Sequence, residues 1–223
     1  MSRLAIIHTT TATVDSMKSL AAELVPGWDL LHIVDESVLP QLAKNGGNLA
    51  EVEDRLIAYA RLAEQAGANI LLEACSSVGE VVEEMRQVVS IPVVRIDEPM
   101  TENAVQLGTR IGVAATLPTT LAPTSRLLES QARAAGKTIE LQSTLIEGAF
   151  EKLSAGDRTG HDALLVEGLS KLAKEVDVVV LAQASMARVI PQLTPAEQAK
   201  FLTSPRSAME RVRAIAAEIL AGK

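Results

Sequence analysis

The stretch ANILLEACSS (68–77) lines up without a gap on VDVVVLAQAS (176–185), so that Asn69 meets Asp177, Cys75 meets Gln183 and Ser77 meets Ser185. RLAIIHT (3–9) lines up on RIGVAAT (110–116) at almost the same separation. Two segments sharing one offset mark an internal repeat, and a repeat folds as like units because each copy meets the same local preferences.

Within each copy, short apolar runs alternate with helical patterns. LAIIH (4–8), NILLEA (69–74), IPVVRI (91–96), RIGVAA (110–115) and DVVVLA (177–182) read as buried strands, with WDLLHIV (28–34) and TIELQST (138–144) as weaker ones. Val14, Met17, Leu20, Ala21 and Leu24 form one helical apolar face, stopped by Pro26 and Gly27; Val52, Leu56, Tyr59, Ala60 and Ala63 form another, stopped by Gly67. A last helix opens in SPRSAMERVRAIAAEIL, with Ser204 as N-cap and Pro205 at the first helical position. The alternation predicts an α/β fold of two pseudo-symmetric, flavodoxin-like parallel-sheet halves, with the active site in the cleft between them. The first half is expected over 1–97, with 204–223 packing back on it as a helix, and the second over 98–203.

Composition narrows the function. The formal charge of −7 and an aromatic content of 2% leave neither a basic stripe nor a stacking platform, so no nucleic-acid partner is expected. No run approaches the roughly 18 continuous apolar residues of a membrane span. The N-terminal apolar run is too short for a signal peptide, so a soluble cytoplasmic protein is expected. A single cysteine permits no internal disulfide and no cysteine-rich metal site. No cluster of His, Asp and Glu has metal-ligand spacing, so no metal is expected.

In open parallel sheets, ligands bind beyond the C-terminal strand ends. Four such ends carry small polar residues: His8-Thr9-Thr10-Thr11, Cys75-Ser76-Ser77, the run Thr116 to Thr120, and Gln183-Ala184-Ser185. SVGE (77–80) has the capping-box pattern, with Ser77 as N-cap and Glu80 three residues on. That places Cys75 at the positive end of a helix, a setting that lowers thiol pKa and favours the thiolate. Glu73, two residues earlier on the same strand face, either pairs with a neighbouring base or opposes thiolate formation. ATLPTTLAPTSRLLE sets hydroxyls and free amides at a helix start, where carboxylate or phosphate binds readily. His8 ends the first strand and could titrate near neutral pH. VDESVLPQLAKNGG (34–47) reads as a loop that could form a lid. Neither GxxxxGK[ST] nor GxGxxG is present, which argues against a nucleotide site.

VDESVLP, EACSSVGE, VVRIDEPM, IGVAATLPTT and VVVLAQASMARVIP together resemble the aspartate/glutamate/hydantoin racemase superfamily, which includes maleate cis-trans isomerases and arylmalonate decarboxylases. The resemblance covers nearly the whole chain. It implies catalysis without metal or pyridoxal cofactor on a small carboxylate substrate, in a dimer or larger homo-oligomer. It also implies two thiols, one per half, working on opposite faces of an acidic carbon. By match, Cys75 takes the first thiol position, Ser76 and Ser77 adjoin it, and Thr9, Thr10, Thr116, Thr119 and Thr120 are carboxylate-binding positions. Gln183 occupies the second thiol slot, beside Ala184 and Ser185. An amide cannot exchange a proton with carbon near neutral pH as a thiol can, so Gln183 is read as a hydrogen-bonding partner of a carboxylate or developing enolate. The expectation is therefore one-sided acid/base or nucleophilic chemistry at Cys75, as a decarboxylase (lyase) or cis-trans isomerase. The alternatives are a racemase or epimerase with a non-cysteine second base, His8 being the nearest candidate, and a carboxylate-binding protein without turnover.

Overall fold

The computed structural model describes residues 2–222. Eight strands run β1 Arg3–His8, β2 Asp29–Val34, β3 Ile70–Glu73, β4 Val93–Arg95, β5 Arg110–Ala115, β6 Glu140–Leu145, β7 Val178–Leu181 and β8 Phe201–Thr203. Ten helices run α1 Val14–Leu24, α2 Val38–Lys44, α3 Glu53–Gln65, α4 Val82–Val88, α5 Glu98–Leu107, α6 Pro118–Ala134, α7 Ala149–Ser154, α8 Arg158–Glu175, α9 Pro195–Gln198 and α10 Ser204–Ala221.

The strands form two parallel four-stranded sheets, ordered β2-β1-β3-β4 and β6-β5-β7-β8. The order is the same in both, and so is the register. Leu4 pairs with Ile70 as Ile111 pairs with Val178, and Glu73 pairs with Arg95 as Leu181 pairs with Thr203. The architecture is thus α/β with a duplicated parallel sheet. Strand β8, only three residues long, lacks any periodic signal in the sequence and is recognisable as the copy of β4 only once paired to β7.

The chain divides into two compact units, one running to Pro99 and resuming at Pro205, the other Met100–Ser204. In the first unit, alternate residues of each strand supply two cores. Leu4, Ile6, Ile70 and Leu72 pack with Met17 and Ala21 of α1 and with Ala208, Met209 and Val212 of α10. Ala5, Ile7 and Leu71 pack with Val38, Leu42, Leu56 and Ala60 of α2 and α3 and with Met85 of α4. Such two-sided burial is what continuous apolar strands require.

In the second unit, Ile111, Val113, Val178 and Val180 pack with Met100, Ala104 and Val105 of α5 and with Leu128 of α6. Ala114, Val179 and Leu181 pack with Leu165 and Leu169 of α8. Each unit is thus closed by a helix that follows the last strand of the other sheet along the chain: α5 comes after β4 and packs in the second core, while α10 comes after β8 and packs in the first.

Two local expectations change. The stretch 34–47 is not a bare loop, since Val38–Lys44 winds into α2. The reason is that Val38 and Leu42 lie one turn apart and both bury, while Asp35 accepts from the Ser37 amide and hydroxyl at 3.0 and 2.6 Å. Ser204 is the first residue of α10 rather than a cap outside it, with Pro205 in the first turn, where its missing N–H removes no helical bond. Among the described residues, no helix is long and apolar enough to cross a membrane.

Met209 is fully buried where α10 meets the first sheet. Met209→Ala is expected to cost about 2–5 kcal/mol by leaving a cavity at this contact, read as a lower urea midpoint.

Candidate active site

In each sheet the first strand of the unit pairs on both sides, so the order reverses there and the backbone parts at the C-terminal ends. That is the switch point at which parallel sheets bind ligands. In the first unit the last link is Ala74 N–H to Ile7 O, at 2.9 Å. Thr9 and Cys75 follow on the two sides of the opening.

The Cys75 sulfur lies within hydrogen-bond reach of the Thr9 hydroxyl, the Ser77 amide and the Ser77 hydroxyl. Thr9, Ser76 and Ser77 are buried, and Cys75 is half-buried. Ser77 does not take the expected N-cap position. Residues Ser76–Val81 wind as a tight 3-10 turn with Cys75 itself in the N-cap position, which puts Ser77 inside the turn, within reach of the sulfur. A capping box is found at Thr194 and Glu197.

The expected lowering of the thiol pKa is also overturned. Burial pushes the Cys75 thiol up to about 11, and the Glu73 carboxylate pushes it the same way; the Thr9 and Ser77 donors pull down without prevailing. Burial and the carboxylate both favour the protonated thiol.

Glu73 is fully buried on the strand face that Cys75 continues. Its Oε1 accepts the Cys75 amide at 2.7 Å, while Oε2 is buried without a partner. Burial and the neighbouring Asp97 carboxylate raise its pKa well above the usual carboxylate range, against the Cys75 amide and Arg95. Arg95, opposite Glu73 on β4, is committed elsewhere: its Nε and one terminal nitrogen donate to both Asp97 oxygens at 2.6 and 3.1 Å. Arg95 and Asp97 were not singled out from sequence. The available signal was a base and an acid two residues apart at the end of an otherwise apolar strand.

His8 does not join this group. Strand alternation sends it to the face of Leu4 and Ile6, opposite to Ile7 and Thr9. There it is fully buried, with Nδ1 bonded to the Thr13 hydroxyl at 2.8 Å and Nε2 to His32 Nδ1 at 2.9 Å. Both nitrogens are engaged, which removes it as a substrate ligand or second base in this structure. Burial, followed by the nearby His32, lowers its pKa to about 4. Thr10 is half-buried and caps the short turn Thr11–Thr13 by accepting from Ala12 N–H at 3.3 Å.

In the second unit, Thr116 and Gln183 stand at the positions that Thr9 and Cys75 hold in the first. Gln183 Oε1 accepts from the Thr116 amide at 2.6 Å and from its hydroxyl at 2.9 Å. The side-chain oxygen thus takes the threonine donor that the sulfur takes in the first unit. Ala184 is half-buried and Ser185 exposed. Helix α6 begins at Pro118 with Leu117 as N-cap, so no side chain caps its first turn, where Thr119 is half-buried and Thr120 buried.

The class that the structure defines is a duplicated parallel α/β protein with polar loops at both switch points and a thiol in one of them. The chain belongs to the Asp/Glu/Hydantoin racemase family, whose profile matches residues 4–212, and is an enzyme of that family. Among solved structures it is similar to a glutamate racemase from Bacillus anthracis, at 15% identity and TM-score 0.78, covering 97% of this chain and 82% of that one. It is similar to an allantoin racemase from Klebsiella pneumoniae at 19% identity and TM-score 0.67, covering 97% and 88%. An aspartate racemase homologue from Pyrococcus horikoshii matches at 16% identity and TM-score 0.70, covering 97% and 100%. At these identities the likeness is one of fold. A search of curated proteins returns no match.

The pKa values of His8 and His32 are both lowered from 6.5, chiefly by burial. Between 6.5 and about 4 the unfolded chain therefore binds protons that the folded chain does not, and stability falls as pH drops through that window. Urea midpoints are expected to decline from pH 7 to pH 5 in the parent protein and less steeply in His8→Asn.

Proposed function

We propose that this enzyme acts on a small carboxylate substrate without a cofactor, and that Cys75 works on one face of the substrate as the proton donor. The observation that carries this reading is the place of Cys75 at the switch point, with the Thr9 hydroxyl and the Ser77 amide and hydroxyl around its sulfur and the Glu73 carboxyl behind it. A thiol so held gives up its proton to a carbanion or enediolate carbon. The S–H bond breaks, the C–H bond forms, and the negative charge passes to a sulfur already faced by three donors. A proton from solvent then restores the thiol.

The carbanion fits best as the product of losing carbon dioxide from a malonate-type diacid. In that step the C–C bond breaks and its electron pair stays on the carbon that Cys75 protonates. Thiolate addition to a maleate-type alkene is the isomerase form of the same one-sided site, but the raised thiol pKa makes it the less favoured of the two. Gln183 supports a one-sided reading because an amide whose oxygen is held by Thr116 offers no group that takes a proton from carbon.

Racemisation is the second reading, favoured by membership of the racemase family. It needs a second base, and His8, with both nitrogens engaged, does not supply one.

The test is turnover of malonates, maleate-type alkenes and amino acids in deuterium oxide. One-sided chemistry yields a single enantiomer carrying one solvent deuterium, and Cys75→Ala lowers turnover by about a hundredfold or more. Label in both enantiomers selects racemisation. Unchanged turnover in Cys75→Ala removes the thiol from the reaction altogether.

A further inference from the structure

The duplication supplies an internal comparison for the charged residues behind Cys75. Glu73 pairs across the sheet with Arg95, and the matching pair in the second unit is Leu181 with Thr203. Asp97 corresponds to Pro205, and Gly79 to Ala187. The fold therefore carries uncharged residues at these matching positions when the switch-point side chain is Gln183. It buries two carboxyls and a guanidinium when that side chain is a thiol. Burying ionisable groups is costly unless they are fully paired, and here the pairing is incomplete. Arg95 is held bidentate by Asp97, so Glu73 keeps one oxygen without a partner.

The surroundings hold the set in place. A Cβ at Gly79 would stand 2.4 Å from Arg95 Nε and 2.7 Å from Cζ, so the guanidinium occupies the space that the missing side chain leaves. The charged and titratable groups near Glu73 are few. β4 and the residues after it bring Arg95 and Asp97, the turn after Cys75 brings Glu80 towards Arg95, and Cys75 itself follows on the same strand. β1 presents Ile7 at the paired position. Helices α2, α3 and α4 present Val38, Leu42, Leu56, Ala60, Val82 and Met85 to this core, with Tyr59 donating to Asp35 instead. One cation thus faces more acids than it can neutralise, and the carboxyl left over is the one bonded to the Cys75 amide at 2.7 Å.

We propose that Glu73 is a positioning residue that sets the charge on Cys75: a negative charge on the buried carboxyl opposes one on the sulfur, so a thiolate forms more readily while Glu73 holds a proton. The carboxyl keeps the cysteine backbone in place through Oε1 and governs the sulfur by like-charge repulsion. When the thiol gives its proton to substrate, the charge that appears on sulfur is tolerated if Glu73 is neutral. This role rests on the reading of Cys75 as the working group.

The experiment measures alkylation of Cys75 by iodoacetamide against pH, which needs no substrate and so stands apart from the turnover assay. In Glu73→Gln, which keeps the shape and the amide acceptor, the midpoint is expected to fall from about 11 by about one pH unit or more. Glu73→Leu, the residue the second unit carries at the matching position, is expected to fall likewise and serves if the glutamine variant does not fold. Glu73→Asp, which keeps the charge, is expected to stay within a few tenths of a unit of the parent. A midpoint unmoved in the neutral variants, or one that falls equally in the aspartate variant, overturns the proposal.

Discussion

Parallel pairing of one strand on both of its edges is the constraint from which the rest of this molecule follows. Once β1 is bonded to β2 and to β3, the connections leave in opposite directions and the backbone must part at the strand ends. Amides and short polar side chains that would otherwise be consumed in the sheet are left facing that opening. The same pairing by β5 repeats the arrangement in the second unit. Thr9 and Thr116 then fall at equivalent places, and each donates to the residue that leaves the neighbouring strand, a sulfur in one unit and an amide oxygen in the other. The duplicated fold therefore makes one kind of contact twice and varies only the acceptor.

That variation has a cost that the structure meets differently in the two units. At the positions matching Glu73, Arg95 and Asp97 the second unit carries Leu181, Thr203 and Pro205, with Leu181 buried on its strand. Around Cys75 the packing includes Glu73, Arg95 and Asp97, all at most 7% exposed. An isolated helix end would make a cysteine at this position more acidic. Here the donors of the helix end are present but act on a sulfur that is also withdrawn from water and faced by a carboxyl, and those effects prevail. Both effects oppose the thiolate.

Much of this was legible in the sequence, and the reasons are specific. Fully buried parallel strands read as continuous apolar runs, so β1, β3, β4, β5 and β7 announce themselves; the half-exposed edge strands β2 and β6 read more weakly. Cys75 and its counterpart Gln183 could be matched by alignment of the repeat alone. The fate of His8 could not be, since it turns on which face of β1 the last residue takes and on His32 being the neighbour there. Helix α2 was hidden because Pro40, Asn45 and two glycines give its surroundings the composition of a loop, while its two buried side chains make it a helix.

The sequence by itself determined the duplication, the alternation of strand and helix, the placing of polar residues at strand ends, and the presence of one thiol opposite one amide in the repeat. These are properties of spacing and residue type, which local physics reads directly. Only the tertiary structure decided that Ser77 comes within reach of the sulfur, that Arg95 belongs to Asp97 and leaves Glu73 over, and that burial and Glu73 oppose the thiolate. Each of those outcomes depends on which groups lose water together, and residues distant along the chain meet in the dark of a core only after the strands have paired.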